Sequence, residues 1–519
     1  MSGTVDRWTT ALRRAWKDGT LWPWCLAAVA AVCGYAVATV FHPGYLSADS
    51  NTQLWQALGD EPVNDWHPPV LALLWRVLIR LTGDFSAMAA LQAAVLWGAL
   101  WVLARLVWKR SGSRALSLAV LAVGLAPHIV NFTGVVWKDV HLAYALLAVL
   151  AIALTVRELP RDRVVSRWAL LVSGLLFLAY AALVRKNGVP AVIPVFALLV
   201  TAAWPAPGRR RWLAATGVLA AVVIGCGAGV SAATTPLATR VYAVIPVDDL
   251  AHVLTPDQMR SAAEQAHAGR DLRDRLVATA ADCQKRNIAS DAYLQCFPHT
   301  QPFDVTYLDQ HADVIVRMWA QQMPRHWKGY AEYRGRVFTK LLFQSNQTFW
   351  NGTHANAGAR LHPLVRKQPL NDTLRFALQN YVTGFTRDLP MLFQGWFWLA
   401  VSLVLVLRRR WAGPYSREIR LLGASSLLYI LAYLPTAPES NYRYVYWPAL
   451  SGTVALTLVA TGFVTRRRAA ADHLAAGLPA AHRPAGVRDD RLVVPPAGRA
   501  PDAAPAGPRE DAGAAGAAL

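Results

Sequence analysis

The sequence predicts an all-α integral membrane protein with about ten transmembrane helices. Hydrophobic residues make up 54% of the 519-residue chain, only 16% of residues are charged, and the mean hydropathy is positive. A soluble chain of this length would carry more charge. Apolar runs long enough to cross a bilayer recur along the sequence, and lysine and arginine cluster in the short stretches between them. Both features are typical of a polytopic membrane protein.

Ten apolar runs of about 17 to 25 residues have the length needed to span the hydrocarbon core. The first run is too long for the core of a signal peptide and lacks a small-residue cleavage site, so it is interpreted as an uncleaved helix. The predicted spans are residues 21–41, 86–108, 115–130, 140–156, 168–184, 189–204, 212–232, 389–407, 419–435 and 446–464.

The distribution of basic residues predicts the orientation of these spans. Cytoplasmic loops are enriched in lysine and arginine, and four basic residues precede the first span. Alternate crossings then place five basic clusters on the cytoplasmic side, together with both termini. The clusters that support this orientation lie at residues 109–114, 157–167, 209–211, 408–420 and 466–468.

One apolar stretch, residues 68–81, is too short for a span and is interrupted by Arg76 and Arg80. Counting it as a span would put the basic residues 109–114 outside. It is therefore predicted to be a helix lying at the outer membrane interface, with its arginines reaching lipid headgroups. Pro68 and Pro69 suit the first turn of such a helix.

Four regions follow from this map. Residues 1–232 form an N-terminal membrane module with seven spans, 233–388 a mostly helical extracytoplasmic domain, and 389–464 a C-terminal module with three spans. Residues 465–519 are rich in Ala, Pro, Gly and Arg, which predicts a disordered cytoplasmic tail. The net charge of +20 is distributed in clusters between spans. This pattern indicates topology and contact with anionic membrane lipids, and it argues against nucleic-acid binding.

Two of the five cysteines, Cys283 and Cys296, fall in the long polar region 233–388. An extracytoplasmic location permits a disulfide between them, although spacing alone does not establish the pairing. The other three lie in apolar runs, where cysteine usually serves as a packing residue.

Polar groups that are far apart in the sequence all fall at the outer face in this topology. Asp49 follows the first span and is close to the membrane surface, where a carboxylate is costly unless it has a role. Its structural alternative is to cap a helix that begins at Asn51. The same loop leads to His67 and the two prolines that open the interface helix.

Two further outer segments place charges next to aromatic residues at the ends of spans. Lys138 and Asp139 follow a tryptophan before the fourth span, where they could also simply pair or reach the interface. Arg443 is flanked by tyrosines, including Tyr444, immediately before the last span. Its structural alternative is an aromatic belt with an arginine that extends to the headgroups.

The loop between the fifth and sixth spans breaks the positive-inside pattern. Arg185 and Lys186 lie outside, followed by Asn187 and a glycine. Two adjacent outward cations at membrane depth favour an anion, for which a lipid phosphate is the obvious source. Interfacial anchoring is the alternative.

With these motifs on one face, the chain resembles the GT-C superfamily of glycosyltransferases, which are polytopic enzymes that use polyprenyl-phosphate-linked sugars. The likeness covers roughly residues 21–464 and is greatest to the branch of bacterial protein mannosyltransferases and aminoarabinose transferases. The long outer region 233–388 matches no motif of the family. The residues that carry the likeness are Asp49, His67-Pro68-Pro69, Lys138-Asp139 and Arg443-Tyr444.

The resemblance implies that Asp49 is the catalytic base, that Asp139 assists it, and that the sugar is inverted. The polyprenyl tail of the donor would lie in a groove between the interface helix and the spans. Many members have a second carboxylate where Ser50 stands, and a divalent cation held by Asp49, Asp139 and the donor phosphate is left open. The residues expected to bind the donor phosphate are Lys138, Arg185, Lys186 and Arg443, supported by His67, Asn187 and Tyr444.

Two other classes of function are weighed against this one. A transporter or lipid flippase places ionisable residues near mid-membrane and often has inverted repeats, whereas the charges here lie at loop edges and no repeat is visible. A non-catalytic membrane scaffold predicts that Asp49 and Asp139 are dispensable. The leading hypothesis is a cell-membrane glycosyltransferase that acts on an extracytoplasmic glycan, lipid or protein acceptor.

Overall fold

The structure, a computed structural model, describes residues 18–291, 295–296, 305–344, 348–350, 352–353, 361–366, 372–408 and 413–477. These residues fold into helices joined by loops, and the only extended pairing among them is two isolated β-bridges. The basic residues before the first span and the tail beyond residue 477 lie outside the described residues. The helices that precede the long outer region are α1 (Trp22–Phe41), α2 (Ala48–Leu58), α3 (Pro69–Thr82), α4 (Ala87–Ser111), α5 (Arg114–Ala122), α6 (Pro127–Val130), α7 (Lys138–Glu158), α8 (Val164–Val184), α9 (Val189–Ala203) and α10 (Arg209–Thr234).

The rest of the described chain is equally helical. Its last helix continues to Gly477, so residues 465–477 of the predicted disordered tail are helical instead. The helices of this part are α11 (Val244–Val253), α12 (Pro256–Gln265), α13 (Arg270–Lys285), α14 (Val305–Arg325), α15 (Trp327–Phe343), α16 (Pro363–Arg366), α17 (Asp372–Asp388), α18 (Gly395–Leu407), α19 (Ser416–Ala432) and α20 (Tyr446–Gly477).

The chain is a multi-pass membrane protein, because seven of its described helices are long and apolar enough to cross a bilayer. The predicted number of ten spans is not confirmed, since three predicted spans are short or broken. Residues 115–130 form α5, a 3-10 turn and the four-residue α6, which starts at Pro127; proline has no backbone N–H to continue a helix. In residues 389–407 a 3-10 turn precedes α18, which has 13 residues, and α19 has 17 residues.

The predicted interface helix is α3, with Pro69 at its first turn and Leu71, Ala72 and Trp75 buried. The prediction that Arg76 reaches lipid headgroups is wrong, because its side chain binds the protein instead. The guanidinium donates hydrogen bonds to the carbonyls of residues 56 and 57, at 2.8 and 3.2 Å, in the last turn of α2. Carbonyls at a helix C-terminus lack partners within the helix and attract cations, and this local bond fixes α2 against α3.

The described residues of the long polar region 233–388 contribute to two hydrophobic cores. Helices α11 to α14 build a core of their own, which includes Met259, Leu276 and Leu308. From Tyr333 onward, α15 packs its apolar face into the core of the membrane helices. A disulfide joins Cys283 and Cys296 beside α11, with the two Cα atoms 5.0 Å apart.

A backbone pairing fixes the loops that follow α1 and α6 to each other. Tyr45 N donates to Gly134 O and Val136 N donates to Tyr45 O, both at 3.0 Å. At this point the end of α1 passes so close that a Cβ on Gly134 would clash with the side chain of Phe41. Only glycine permits this approach, and the pairing sets the distance between the starts of α2 and α7.

Replacing Gly134 by Ala is expected to lower the free energy of unfolding by about 1 to 3 kcal/mol, because the added methyl group overpacks a closed site. Unfolding monitored in detergent over a denaturant series measures the change. The matched control is Gly98→Ala in α4, where a Cβ would meet no atom within 4 Å and alanine is the better helix former. Equal stability of the two variants would contradict the role given to this approach.

Candidate active site

Asp49 lies in the first turn of α2. Ser47 caps this helix: its Oγ accepts a hydrogen bond from Ser50 N at 3.4 Å, and Ser50 Oγ accepts one from Ser47 N at 3.0 Å. Reciprocal bonds of this kind fix the point at which a helix begins. The helix therefore starts at Ala48, and the alternative in which Asp49 caps a helix beginning at Asn51 is wrong.

The carboxylate of Asp49 contacts cations from two other loops. Its Oδ2 accepts a hydrogen bond from Arg443 Nη1 at 3.1 Å and lies 3.9 Å from Lys138 Nζ. The side chain of Asp49 is 33% exposed, that of Arg443 15% and that of Lys138 19%. The structure thus brings together three predicted site residues, two of which are 394 positions apart in the sequence.

Aromatic rings and hydrogen bonds hold the guanidinium of Arg443. It lies 5.3 Å from the ring centroid of Trp137 and 5.2 Å from that of Tyr444. Its Nη2 donates to Tyr444 Oη at 3.2 Å and is 3.5 Å from Glu439 Oε1. Trp137 is itself fixed, because its Nε1 donates to Ser47 Oγ at 2.7 Å. The Nε of Arg443 is buried and has no hydrogen-bond partner among the described residues.

A second ion pair lies deeper, between Asp139 and Arg185. Asp139 Oδ1 is 3.2 Å from Arg185 Nη2, and the Asp139 side chain has no exposed surface. Tyr429 donates to the same carboxylate oxygen at 3.4 Å, and Arg185 Nη2 donates to Tyr433 Oη at 2.9 Å. The ion-pair partner of Asp139 is therefore an arginine from another loop, whereas its sequence neighbour Lys138 pairs with the first-loop carboxylate.

His67 lies within electrostatic reach of this cluster. Burial, the largest cause, lowers the pKa of His67 to about 4, although the Asp49 carboxylate raises it. The imidazole is therefore neutral at pH 7. Its side chain is buried, and its Nδ1 has no hydrogen-bond partner in the part of the chain that the structure describes.

The other two predicted site residues lie in the 3-10 turn between α8 and α9. Asn187 Nδ2 donates to Thr436 Oγ1 at 3.4 Å, which connects this turn to the loop after α19. Lys186 is exposed, and no ion pair or hydrogen bond of its side chain is found within the described ranges. The structure therefore does not bring Lys186 into the cluster with Asp49.

The charge around Asp49 determines its ionisation. Burial raises the pKa of Asp49, but the ammonium of Lys138 and the guanidinium of Arg443 outweigh burial and hold the pKa below its ordinary value. Asp49 is consequently a carboxylate at neutral pH. The cluster contains three cations, and Glu439 is a third carboxylate beside the two aspartates, so its formal charges balance before a ligand enters.

Sequence reasoning missed the tyrosines of α19 that line the deeper ion pair. Tyr429 and Tyr433 are four residues apart at the end of an apolar run, so they share one face of a helix. Tyr433 stacks on Tyr444 with 4.9 Å between ring centroids, and the guanidinium of Arg185 lies 5.3 Å from the Tyr444 ring. The spacing of the two tyrosines is visible in the sequence, but their contacts with Asp139, Arg185 and Tyr444 are not.

An apolar cavity of about 350 Å³ lies between α3 and the membrane helices α4, α7 and α8. Its polar end includes His141, one turn beyond Lys138 on α7, and Tyr180, whose hydroxyl is 2.8 Å from His141 Nδ1. The rest of the lining is mostly apolar, with Leu74 and Phe177, and it also includes Gln92, Tyr144 and Ser173. The cavity is therefore a mostly apolar space alongside α7, the helix whose first residue is Lys138.

The two aspartates do not suit a shared metal ion. Asp139 is fully enclosed and pairs with Arg185, while Asp49 faces Arg443 and Lys138. A divalent cation prefers several oxygen ligands, and here cations already lie against both carboxylates. The residues around Asp49 and Asp139 therefore do not fit a divalent cation shared between the two carboxylates.

No protein-family model matches the chain, and no curated protein matches it. Two solved structures are similar to it: ArnT from Cupriavidus metallidurans bound to undecaprenyl phosphate, and the same protein in the apo state. In each comparison 16% of residues are identical, the alignment covers 89% of this chain and 81% of the other, and the TM-score is 0.31.

Proposed function

We propose that the protein is a membrane glycosyltransferase that moves a sugar from a polyprenyl-phosphate donor to a cell-envelope acceptor on the extracytoplasmic side. The observation that carries this proposal is the contact of one partly exposed carboxylate, Asp49, with two cations, Arg443 and Lys138. A base beside an anion-binding pair is what transfer from a phosphate leaving group requires. The apolar cavity next to α7 supplies a place for the lipid chain.

In the proposed reaction, the acceptor oxygen or nitrogen forms a bond to the anomeric carbon of the sugar. The bond from that carbon to the phosphate oxygen breaks, and its electron pair leaves with the polyprenyl phosphate. The acceptor proton passes to Asp49. Arg443 and Lys138 stabilise the charge that develops on the phosphate, which is the usual role of fixed cations in phosphate chemistry.

The charges of Asp49, its two cations and the donor phosphate favour proton transfer to Asp49 in this reaction. Before the donor binds, Arg443 and Lys138 hold the pKa of Asp49 low, so it is a weak base. A donor phosphate that binds these cations competes for them with Asp49, which raises the affinity of Asp49 for a proton. When Asp49 then takes the acceptor proton, the cluster gains one unit of positive charge as the leaving phosphate becomes more negative.

The deeper pair has a positioning role in this proposal. Asp139 holds Arg185 in place with Tyr429 and Tyr433. The Nε of Arg185 is buried and has no hydrogen-bond partner among the described residues, which makes it a candidate donor to a phosphate oxygen in the donor complex. Asp139 thereby assists transfer through Arg185 and does not touch the acceptor.

A bulky residue in the cavity is expected to weaken the binding of long-chain donors. Ser173 lines the cavity from α8, and Ser173→Trp should raise the KM for a long polyprenyl-phosphate sugar by roughly ten-fold, about 1.4 kcal/mol. The KM for a donor with a short prenyl chain should not change. Val172→Trp on the same helix is the control, since Val172 is 52% exposed and does not line the cavity. Equal KM values for long-chain donor in the two variants would contradict the assignment of this cavity.

The proposed activity is tested by the release of polyprenyl phosphate from a panel of polyprenyl-phosphate sugars. Purified protein in liposomes receives cell-envelope extract as acceptor, on the inside or on the outside of the vesicles. Release that depends on the acceptor supports the transferase and identifies the sugar, and its dependence on the acceptor side tests the orientation. Movement of intact donor across the bilayer without release would overturn the proposal in favour of a flippase.

A further inference from the structure

A fully buried ionic cluster lies outside the proposed active site, between α11 and α15. Arg334 has only 3% of its side chain exposed, and its Nη2 is 2.6 Å from Asp249 Oδ1 and 3.6 Å from Asp248 Oδ2. Trp319 Nε1 donates to Asp249 Oδ2 at 2.7 Å. Tyr333 Oη donates to Asp248 Oδ2 at 2.7 Å. None of these groups takes part in the transfer chemistry described above.

The charges of this cluster balance only if a proton is retained. Asp248 and Asp249 carry two negative charges when ionised, and Arg334 supplies one positive charge. His252 lies 3.3 Å from Asp248 and stacks on Tyr333 with 4.5 Å between ring centroids, so it can supply the second. Because burying an uncompensated charge is very costly, either His252 is protonated or one carboxyl keeps its proton.

Arg334 also binds the loop that leads to the proposed active site. Its Nη1 donates to Ala437 O at 2.9 Å. Two residues later, Glu439 accepts a hydrogen bond from Asn441 Nδ2 at 3.3 Å and lies 3.5 Å from Arg443 Nη2. Asn441 Oδ1 in turn accepts from Arg443 N at 3.1 Å. A continuous set of contacts therefore runs from the outer core, through this loop, to the guanidinium beside Asp49.

We propose that Arg334 is a positioning residue, which holds the loop of residues 433–445 through Ala437 and thereby sets the place of Arg443 at the donor-phosphate end of the site. The consequence for phosphate binding rests on the proposed function. The placement of the loop does not, because it follows from the hydrogen bond to Ala437 alone. The core formed by α11 to α14, here called the outer core, thus contributes to the geometry of the proposed active site.

The test compares Arg334→Lys with two variants in the full-length protein. Lysine keeps the charge but cannot reach the two aspartates and Ala437 with a forked group. Arg336→Lys is the matched control, because Arg336 lies on the same helix but is exposed. Tyr333→Phe removes a hydrogen bond to Asp248 from the same cluster while Arg334 stays. Hydrogen–deuterium exchange in detergent should rise about ten-fold or more in residues 433–445 for Arg334→Lys only.

Phosphate binding supplies the second readout. The Kd for polyprenyl phosphate alone should rise about ten-fold in Arg334→Lys and stay unchanged in Arg336→Lys. Unchanged exchange of residues 433–445 in Arg334→Lys would overturn the inference. If exchange rises but wild-type protein neither binds polyprenyl phosphate nor releases it from a donor, the proposed function is what fails, and the loop contact stands.

A charge-balanced variant keeps the test decisive if Arg334→Lys unfolds the outer core. Arg334→Met combined with Asp249→Asn removes one positive and one negative charge, so Asp248 and His252 can still neutralise each other. Exchange in residues 244–285 reports whether the outer core stays folded. With that core protected, faster exchange in residues 433–445 supports the inference, and unchanged exchange contradicts it.

The cluster should also make the outer core sensitive to pH. Burial raises the pKa of Asp249 to about 7, even though Arg334 lowers it, and the hydrogen bonds and charge of Asp248 raise the pKa of His252 despite burial. Groups with a raised folded-state pKa bind protons more tightly in the folded state, so stability is lost as pH rises through the folded value. Protection of residues 244–253 should fall as the pH rises from about 4 to 7, the interval between the ordinary pKa of an aspartate and the raised pKa of Asp249, and it should fall less in Asp249→Asn. A rise in protection over that range would contradict the assignment. The charged and titratable groups that act on this site are Asp248, Asp249, His252, Tyr330, Tyr333 and Arg334.

Discussion

Replacing Asp49 by Asn is expected to lower the rate of sugar transfer by about 10²- to 10⁴-fold, the usual contribution of a positioned general base. The amide has nearly the same shape as the carboxylate but cannot accept the acceptor proton. The variant should fold, because α2 is capped by Ser47 and Ser50 and not by Asp49. Release of polyprenyl phosphate over time, at saturating donor, measures the effect on kcat.

The binding of donor should respond in the opposite direction from the rate. Without the negative charge of Asp49, Arg443 and Lys138 are fully available to the phosphate, so the Kd for polyprenyl phosphate should fall or stay unchanged. Glu61→Gln is the matched control, because Glu61 is an exposed acid of the same loop, and it should retain wild-type kcat. A variant Asp49→Asn with wild-type kcat would remove Asp49 from the chemistry and favour the scaffold hypothesis.

Replacing Asp139 by Leu is expected to lower the free energy of unfolding by about 3 to 5 kcal/mol, because it leaves a buried charge uncompensated. Arg185 has only 10% of its side chain exposed and no other carboxylate partner within 4.0 Å among the described residues. Unfolding of the detergent-solubilised variant measures the loss. The variant is purified at low temperature, and its secondary structure is compared with that of the wild type before unfolding is measured.

Removing both charges should restore most of the stability but not the activity. In the double variant Asp139→Leu with Arg185→Met, apolar side chains of similar volume replace the pair, which is often neutral for stability. Transfer should stay low, since Arg185 would bind a phosphate oxygen. Recovery of both stability and activity would show that the pair is purely structural, and a double variant as unstable as Asp139→Leu would contradict the account of the buried charge.

Many residues of this cluster could be predicted from the sequence, because the predicted topology indicates which polar residues lie on the outer face. The positive-inside rule made Arg185 conspicuous as an outward cation, and apolar neighbours made Asp49 conspicuous as a carboxylate at the membrane surface. The topology predicts the face of the membrane on which a residue lies, but it does not predict which residues contact each other. It therefore could not tell that Lys138 would pair with Asp49 while Asp139 would pair with Arg185, since adjacent residues at a helix start point in different directions.

The errors in the fold have equally local causes. Hydropathy averages over a window, so it did not register that Pro127 divides residues 115–130 into separate short helices. Arg76 was assigned to the lipid interface because its best protein partners, two carbonyls at the end of α2, exist only once that helix has formed. The buried cluster around Arg334 was not predicted at all, because nothing in the spacing of Asp248 and Asp249 indicates a partner 85 residues away.

The separation of 394 residues between Asp49 and Arg443 has a consequence for how the protein is made. At about 5 to 20 residues per second, Arg443 leaves the ribosome roughly 20 to 80 s after Asp49. During that interval Asp49 lacks the Arg443 guanidinium that donates a hydrogen bond to it in the finished fold. Under the proposed function, a nascent chain that ends before Arg443 would therefore lack one of the two cations expected to bind the donor phosphate beside Asp49.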